Sequence, residues 1–142
     1  MFVAIADPDR SSLRYASAGH DPALLLKANG NLTELSSTGI ALGILDDAQW
    51  TTETLTVGPG DRLLLATDGL TEAISPAGEL FGRQRLAREL EQCAGRAIEE
   101  CISRIRDAIN EHCGSRVPTD DMTLLALEIG EVREPFGTKR PS

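Results

Sequence analysis

The sequence predicts an α+β fold built mainly from antiparallel strands. Short apolar runs separated by turn residues occupy the first 67 residues, and two helical patterns follow at 82–93 and 96–112, before a last strand at 122–129. Strands joined by short, meander-like connections favour antiparallel pairing. The 142 residues suffice for one domain, and no internal repeat or linker divides them.

The first strands are predicted from hairpin chemistry. Residues 2–6 and 13–18 predict a strand pair around a turn rich in Asp, Pro and Ser. Residues 23–27 predict a third strand, after which Asn29 and Gly30 would supply the two positive-φ residues of a tight turn. Leu32 and Leu35 lie on the predicted return strand.

The later elements are predicted from apolar spacing. Residues 50–57 alternate as a strand does, and residues 62–67 contain consecutive leucines, which indicate a central strand buried on both faces. In the second helix an apolar stripe recurs at helical spacing, so we expect this face to pack into the core. The stripe consists of Ile98, Cys101, Ile102, Ile105 and Ile109.

Charge and cysteine content exclude several classes of partner. The formal net charge of −8 argues against binding to a nucleic-acid backbone or an anionic membrane. The three cysteines form no CxxC pair, which argues against a disulfide framework or a zinc site and favours a reducing cytoplasm. No apolar run approaches the roughly 20 residues that a membrane helix needs.

Two acidic residues stand at strand ends. Asp68 directly follows strand 62–67, and Asp120 lies just before strand 122–129, with Asp121 beside it. If these strands pair antiparallel, Asp68 and Asp120 meet at one edge of the sheet. Two carboxylates held close repel each other unless a cation lies between them, and hard oxygen ligands suit Mg²⁺ or Mn²⁺. Gly69 would leave room for a close backbone approach there.

A purely structural interpretation of these residues stays open at this point. Asp before Gly is common in turns, and Asp120 could accept backbone hydrogen bonds at a strand start. His20 could be a general acid or a metal ligand, although such a histidine more often bonds the backbone. His112 and the cysteines are assigned no role.

Four blocks in order are more specific than any single motif. Residues 15–22 (YASAGHDP) and 59–73 (PGDRLLLATDGLTEA) are followed by 78–82 (GELFG) and 120–125 (DDMTLL). These blocks resemble the N-A-G-H-x-P and P-G-D-x-L-L-L-Y-T-D-G-V-T-E-A segments, and the two blocks after them, of bacterial PPM-type phosphatases. The relevant kind is that of RsbU and of the sporulation stage II protein E (SpoIIE).

The resemblance implies a fold, a site and an activity. It implies an antiparallel β-sandwich flanked by helices (αββα), of which residues 1–130 form a part, with a two-metal site at one edge. Asp68 matches the metal aspartate of the T-D-G block and Asp120 that of the D-D-x-T block, whereas Asp121 is not expected to bind directly. The implied activity is Mn²⁺- or Mg²⁺-dependent hydrolysis of phosphoserine or phosphothreonine. The implied partner is a phosphorylated STAS-domain protein, an anti-sigma-factor antagonist.

The chain departs from the family pattern in one respect. Family domains begin upstream with a G-D-x-x-G-H-G-like block whose Asp bridges both metals, and this sequence contains no such block. The resemblance therefore implies that the N-terminal part of the domain is missing, through a fragment, a mis-assigned gene start or a truncated product. We expect weak or no phosphatase activity from this chain alone.

Two alternatives to an enzyme are kept. The chain could be a catalytically silent module that binds a STAS-type partner, or a truncated remnant of a phosphatase. Residues 131–142 are polar and predict a flexible tail. An incomplete domain would leave apolar surface uncovered, so we expect homo-oligomerisation or poor solubility.

Overall fold

The computed structural model describes residues 1–7, 11–116 and 120–131, and these ranges contain seven strands and three helices. The strands are β1 (Phe2–Asp7), β2 (Ser12–Ser17), β3 (Ala23–Leu26), β4 (Leu32–Leu35), β5 (Glu53–Thr56), β6 (Arg62–Ala66) and β7 (Leu124–Glu128). The helices are α1 (Asp68–Thr71), α2 (Gly82–Glu91) and α3 (Ile98–Cys113). Most of the predicted tail, residues 132–142, lies outside the described residues.

Two antiparallel sheets form the body of the fold. One has the strand order β1-β2-β5 and the other the order β4-β3-β6-β7. Leu13 of β2, Leu25 of β3 and Leu63 of β6 share one buried cluster, which lies between the sheets. The predicted α+β class, with antiparallel sheets accompanied by helices, is confirmed.

The leucine run of β6 explains why this strand contributes side chains to two buried clusters, one on each face of its sheet. Side chains alternate across a strand, so Leu63 enters the cluster between the sheets while Leu64 enters the cluster under the helices. From the helices, Leu86 of α2 and Ile105 of α3 join Leu64 in that second cluster. Of the predicted stripe of α3, Cys101, Ile105 and Ile109 are buried in this cluster, whereas Ile98 and Ile102 are half-buried.

Arg62 connects β6 to the loop between α2 and α3 through hydrogen bonds. It is only 8% exposed, and its guanidinium donates hydrogen bonds to several groups. Nε donates to Glu128 (2.7 Å), Nη1 donates to the carbonyl oxygen of Cys93 (2.8 Å), and Nη2 donates to the carbonyl of Arg96. These bonds satisfy carbonyls beyond the end of α2, where the helix no longer supplies donors.

The three cysteines are free and buried. Burial, together with a contact to the Cys101 thiol, raises the pKa of Cys93 to about 12. A thiol with so high a pKa is a poor nucleophile at neutral pH, so Cys93 acts as a core residue. Within the described ranges no helix is both long and apolar enough to cross a membrane.

One predicted turn is wrong in detail. Gly30 has a φ of 89°, but among the described residues only Ser11 is a non-glycine residue with positive φ, so Asn29 does not adopt the predicted conformation. The Gly30 N–H donates to Lys27 O (2.8 Å), and the Asn31 N–H donates to Asn29 Oδ1 (3.0 Å). Because the Asn29 side chain supports the turn locally, only the glycine needs the left-handed region.

Candidate active site

The pairing of β6 with β7 brings the two predicted acidic residues to one edge of the sheet. The strands are antiparallel, and Ala66 at the end of β6 faces Leu124 at the start of β7. Asp68 follows Ala66 by two residues, and Asp120 precedes Leu124 by four. Both acids therefore lie just beyond the last paired residues, at the same end of the sheet.

Gly69 marks the closest approach between the two backbones. A Cβ atom built on Gly69 would lie 2.5 Å from the carbonyl oxygen of Asp121 and 3.4 Å from the Cβ of Asp120. The first distance is too short for any side chain. The glycine therefore permits the segment that carries Asp120 to pack directly against the one that carries Asp68, as the sequence predicted.

The two carboxylates have matching local surroundings. Both side chains are exposed. Oδ1 of Asp68 accepts the N–H of Gly69 (2.9 Å), and Oδ1 of Asp120 accepts the N–H of Asp121 (2.8 Å). No Lys or Arg of the described residues forms an ion pair with either acid. The described part of the chain therefore places no cation in an ion pair with the negative charge at this edge.

The chain around Asp68 forms a one-turn helix that the sequence analysis missed. The N–H of Glu72 donates to the Asp68 carbonyl oxygen (2.8 Å), which closes α1. The Thr71 hydroxyl lies 3.1 Å from the same oxygen and 3.3 Å from Oδ2 of Asp21. Asp21, which had no predicted role, also pairs with Arg83 of α2 (2.8 Å). Its place in the G-H-x-P block was the only sequence signal for it.

Both histidines contact backbone oxygens. His20 Nδ1 lies 2.6 Å from the Asp21 carbonyl oxygen, and the ring packs against Phe2. His112 Nε2 lies 2.9 Å from the Glu79 carbonyl oxygen. The structure thus gives His20 the backbone contact that the structural interpretation of this residue predicted.

The donor set fits a hard divalent cation. Asp68 and Asp120 each keep one oxygen that accepts no hydrogen bond from the described residues, and both are open to solvent. Mg²⁺ is commonly held by one or two carboxylates, with waters completing its shell, and Mn²⁺ also prefers oxygen. The described part of the chain contains no group of three or more His, Cys, Asp or Glu side chains placed to hold a metal. At this edge the described residues therefore offer a cation two carboxylates and no closed cage.

Solved structures with a similar fold include a PP2C domain. The SiaA-PP2C domain of Pseudomonas aeruginosa matches with a TM-score of 0.77 at 24% identity, over 90% of this chain and 50% of that one. The RsbU and RsbW domains of Rv1364c from Mycobacterium tuberculosis match with a TM-score of 0.72 at 26% identity, over 92% of this chain and 36% of that one. The fold is therefore that of a PPM-type phosphatase domain.

The chain belongs to the SpoIIE family, whose model, described as stage II sporulation protein E, matches residues 1–130. Protein IcfG of Synechocystis sp. is 35% identical over 127 residues, which are 89% of this chain and 20% of that protein. Phosphoserine phosphatase RsbU of Bacillus subtilis is 30% identical over 128 residues, which are 89% of this chain and 38% of that protein. The chain thus spans well under half the length of these curated relatives, and the predicted family is confirmed.

Proposed function

We propose that this chain is part of a metal-dependent protein serine/threonine phosphatase, to which it supplies Asp68 and Asp120 as ligands of Mn²⁺ or Mg²⁺. Membership in the SpoIIE family supports the reaction class, and a relative is named a phosphoserine phosphatase. The observation that carries the proposal is the meeting of two exposed, unpaired aspartates at the β6–β7 edge.

In the proposed site the ion and the two aspartates would have separate roles. A bound divalent ion would supply Lewis acidity, which activates water and neutralises charge on the phosphoryl group. Asp68 and Asp120 would hold the ion from the two segments that leave β6 and enter β7, strands whose own register the sheet fixes. Their exposure leaves the edge open to a phosphoester on another macromolecule, whereas a small substrate would favour an enclosed pocket.

The substrate we propose is a phosphorylated STAS-domain protein, an anti-sigma-factor antagonist of a bacterial partner-switching pathway. The resemblance of the four sequence blocks to RsbU-type phosphatases supports this choice. The name of the M. tuberculosis relative, which joins RsbU and RsbW domains, supports it further. We place the reaction in the cytoplasm, which agrees with three buried free thiols.

Calorimetry with Mn²⁺ tests the proposal. We expect the 142-residue chain to bind Mn²⁺, and we expect Asp68→Asn and Asp120→Asn each to weaken binding at least about tenfold, because each removes a charged ligand. Asp107→Asn on α3 is the matched control, since that carboxylate is 70% exposed and, among the described residues, forms an ion pair with Arg106 alone. Its affinity should equal that of the unaltered chain.

A silent binding module is the second candidate, favoured by the lack of a third metal-ligating side chain at this edge among the described residues. A silent module should show no heat of Mn²⁺ binding in the titration, or a heat of binding that Asp68→Asn leaves unchanged. Turnover adds a one-sided test, because only fast hydrolysis would exclude the silent module. We expect slow or no hydrolysis of a phosphoserine peptide by this chain, and fast turnover abolished by Asp68→Asn would overturn that expectation.

A further inference from the structure

We propose that Thr67 is a positioning residue, whose hydroxyl sets the spacing between Asp68 and Asp120. The inference deepens the proposed function and depends on it for the identity of the ion. It concerns a residue that precedes Asp68 directly and that bonds the neighbouring strand through both its backbone and its side chain.

Three hydrogen bonds join Thr67 to the segment that carries Asp120. The Thr67 N–H donates to the Thr123 carbonyl oxygen (3.0 Å). In return, the Thr123 N–H donates to the Thr67 hydroxyl oxygen (2.9 Å), where a regular ladder would use a carbonyl. The same hydroxyl donates to the Asp121 carbonyl oxygen (3.3 Å). One hydroxyl thus accepts from one residue and donates to another.

These bonds act where the sheet itself stops. The last paired residues of β6 and β7 are Ala66 and Leu124, so the regular ladder does not hold the backbone of Asp120 and Asp121. Through its bonds to Thr123 and Asp121, the Thr67 hydroxyl extends the attachment to three residues before Leu124. A hydroxyl can accept and donate at once, which a methyl group of the same size cannot do.

Gly69 limits the same spacing from the other side. The Asp121 carbonyl oxygen already lies 2.5 Å from where a Cβ of residue 69 would be, so even without a side chain at residue 69 this backbone cannot move much closer. Thr67 prevents it from moving away, because its hydroxyl bonds that same carbonyl. The separation of Asp68 and Asp120 is therefore bounded in both directions, as a shared ion with fixed ligand distances requires.

The test compares Thr67→Val, which removes the hydroxyl but keeps the shape, with Thr67→Ser, which keeps the hydroxyl. Thr54→Val is the control, because Thr54 is an exposed threonine on the edge strand β5. Three properties of the full chain are measured. They are hydrogen exchange of the Thr123 amide, the nuclear Overhauser contact between Gly69 and Asp120, and Mn²⁺ affinity by calorimetry.

We expect Thr67→Val to speed exchange of the Thr123 amide about tenfold, because its side-chain acceptor is lost. It should also weaken the Gly69–Asp120 contact and lower Mn²⁺ affinity about tenfold. Exchange at Ala126, inside β7, should not change. Thr67→Ser should restore all three properties, and Thr54→Val should alter none of them.

Two results would overturn the inference. If Thr67→Val leaves exchange at Thr123 unchanged, the hydroxyl does not hold that segment. If exchange rises while the Gly69–Asp120 contact and the affinity stay as in the unaltered chain, Thr67 only fastens a strand end. Failure of the unaltered chain to bind Mn²⁺ would instead refute the proposed function, and the Gly69–Asp120 contact would still decide the role of Thr67.

Discussion

At the residue scale, Gly69 shows how a missing side chain shapes this edge. Its φ is not in the left-handed region, so backbone conformation does not explain the glycine. The reason is space, since the Asp121 carbonyl oxygen lies 2.5 Å from the position that a Cβ would take, too close for any side chain. Because glycine is required here by lack of space and not by its backbone conformation, an alanine substitution should have a clear effect.

Gly69→Ala should destabilise the fold by about 1–3 kcal/mol, because an added methyl group must push the Asp121 backbone away. It should also weaken Mn²⁺ binding, since the same movement separates Asp120 from Asp68. Gly58→Ala is the matched control, because a Cβ at Gly58 meets no atom within 4 Å. Thermal melts and calorimetry measure both effects, and equal behaviour of the two variants would refute this explanation of Gly69.

At the scale of elements, Asp61 connects two turns at the opposite end of β6. Its carboxylate accepts hydrogen bonds from the Lys27 ammonium, the Ala28 N–H (2.8 Å) and the Gly58 N–H (2.9 Å). Burial opposes its ionisation, but these donors outweigh burial and hold the pKa of Asp61 below its ordinary value of 3.8. The β3–β4 hairpin is thereby fixed to the β5–β6 turn.

Asp61→Asn should cost about 1–3 kcal/mol of unfolding free energy at neutral pH, because it removes charge-assisted hydrogen bonds. The lowered pKa gives the sign of the pH dependence. The stabilisation is complete above the ordinary pKa of 3.8 and is lost as the pH falls through the lower folded value. Denaturation measured from pH 7 downwards should therefore show the difference between the two proteins shrinking below about pH 4. A constant difference would contradict this assignment.

At the scale of the whole molecule, each sheet has an edge strand, β1 or β7, that carries exposed apolar side chains. On β1, Val3 and Ile5 are 46% and 54% exposed, and on β7, Leu125 and Leu127 are 50% and 48% exposed. Leu127 pairs with Leu63, which is buried between the sheets, so β7 extends the apolar inner face beyond the three-stranded sheet. Apolar surface in strips of this kind promotes association.

The chain should therefore self-associate at micromolar concentration. Multi-angle light scattering should show species larger than the monomer of 15.2 kDa. Replacing Leu125 and Leu127 with Thr, which suits a strand, should shift the population towards monomer. A monodisperse monomer with a cooperative melt would contradict this prediction.

Much of the fold could be predicted because the spacing of the apolar residues agrees with which of them are buried. The leucine run of β6 indicated a central strand, and the stripe of α3 indicated a buried helix face. Local hydrogen bonding was harder to predict. The turn at Asn29 depends on a side chain that accepts the N–H of Asn31, two residues further along the chain, and α1 is too short to show a helical period. At the edge, the meeting of Asp68 and Asp120 followed from strand pairing alone. The bonds of Thr67 and Asp21 join residues more than 45 positions apart, so they required the structure.

The central claim is that Asp68 and Asp120 share a divalent ion, and Mn²⁺ titration followed by nuclear magnetic resonance tests it most directly. Mn²⁺ broadens the signals of nuclei near it. The claim predicts that the amide signals of Gly69 and Asp121 disappear first, while those of Gly58 and Ile129, at the far end of β6, keep most of their intensity. In Asp68→Asn this selective loss should vanish. Loss centred elsewhere, or the same pattern in that variant, would contradict the claim.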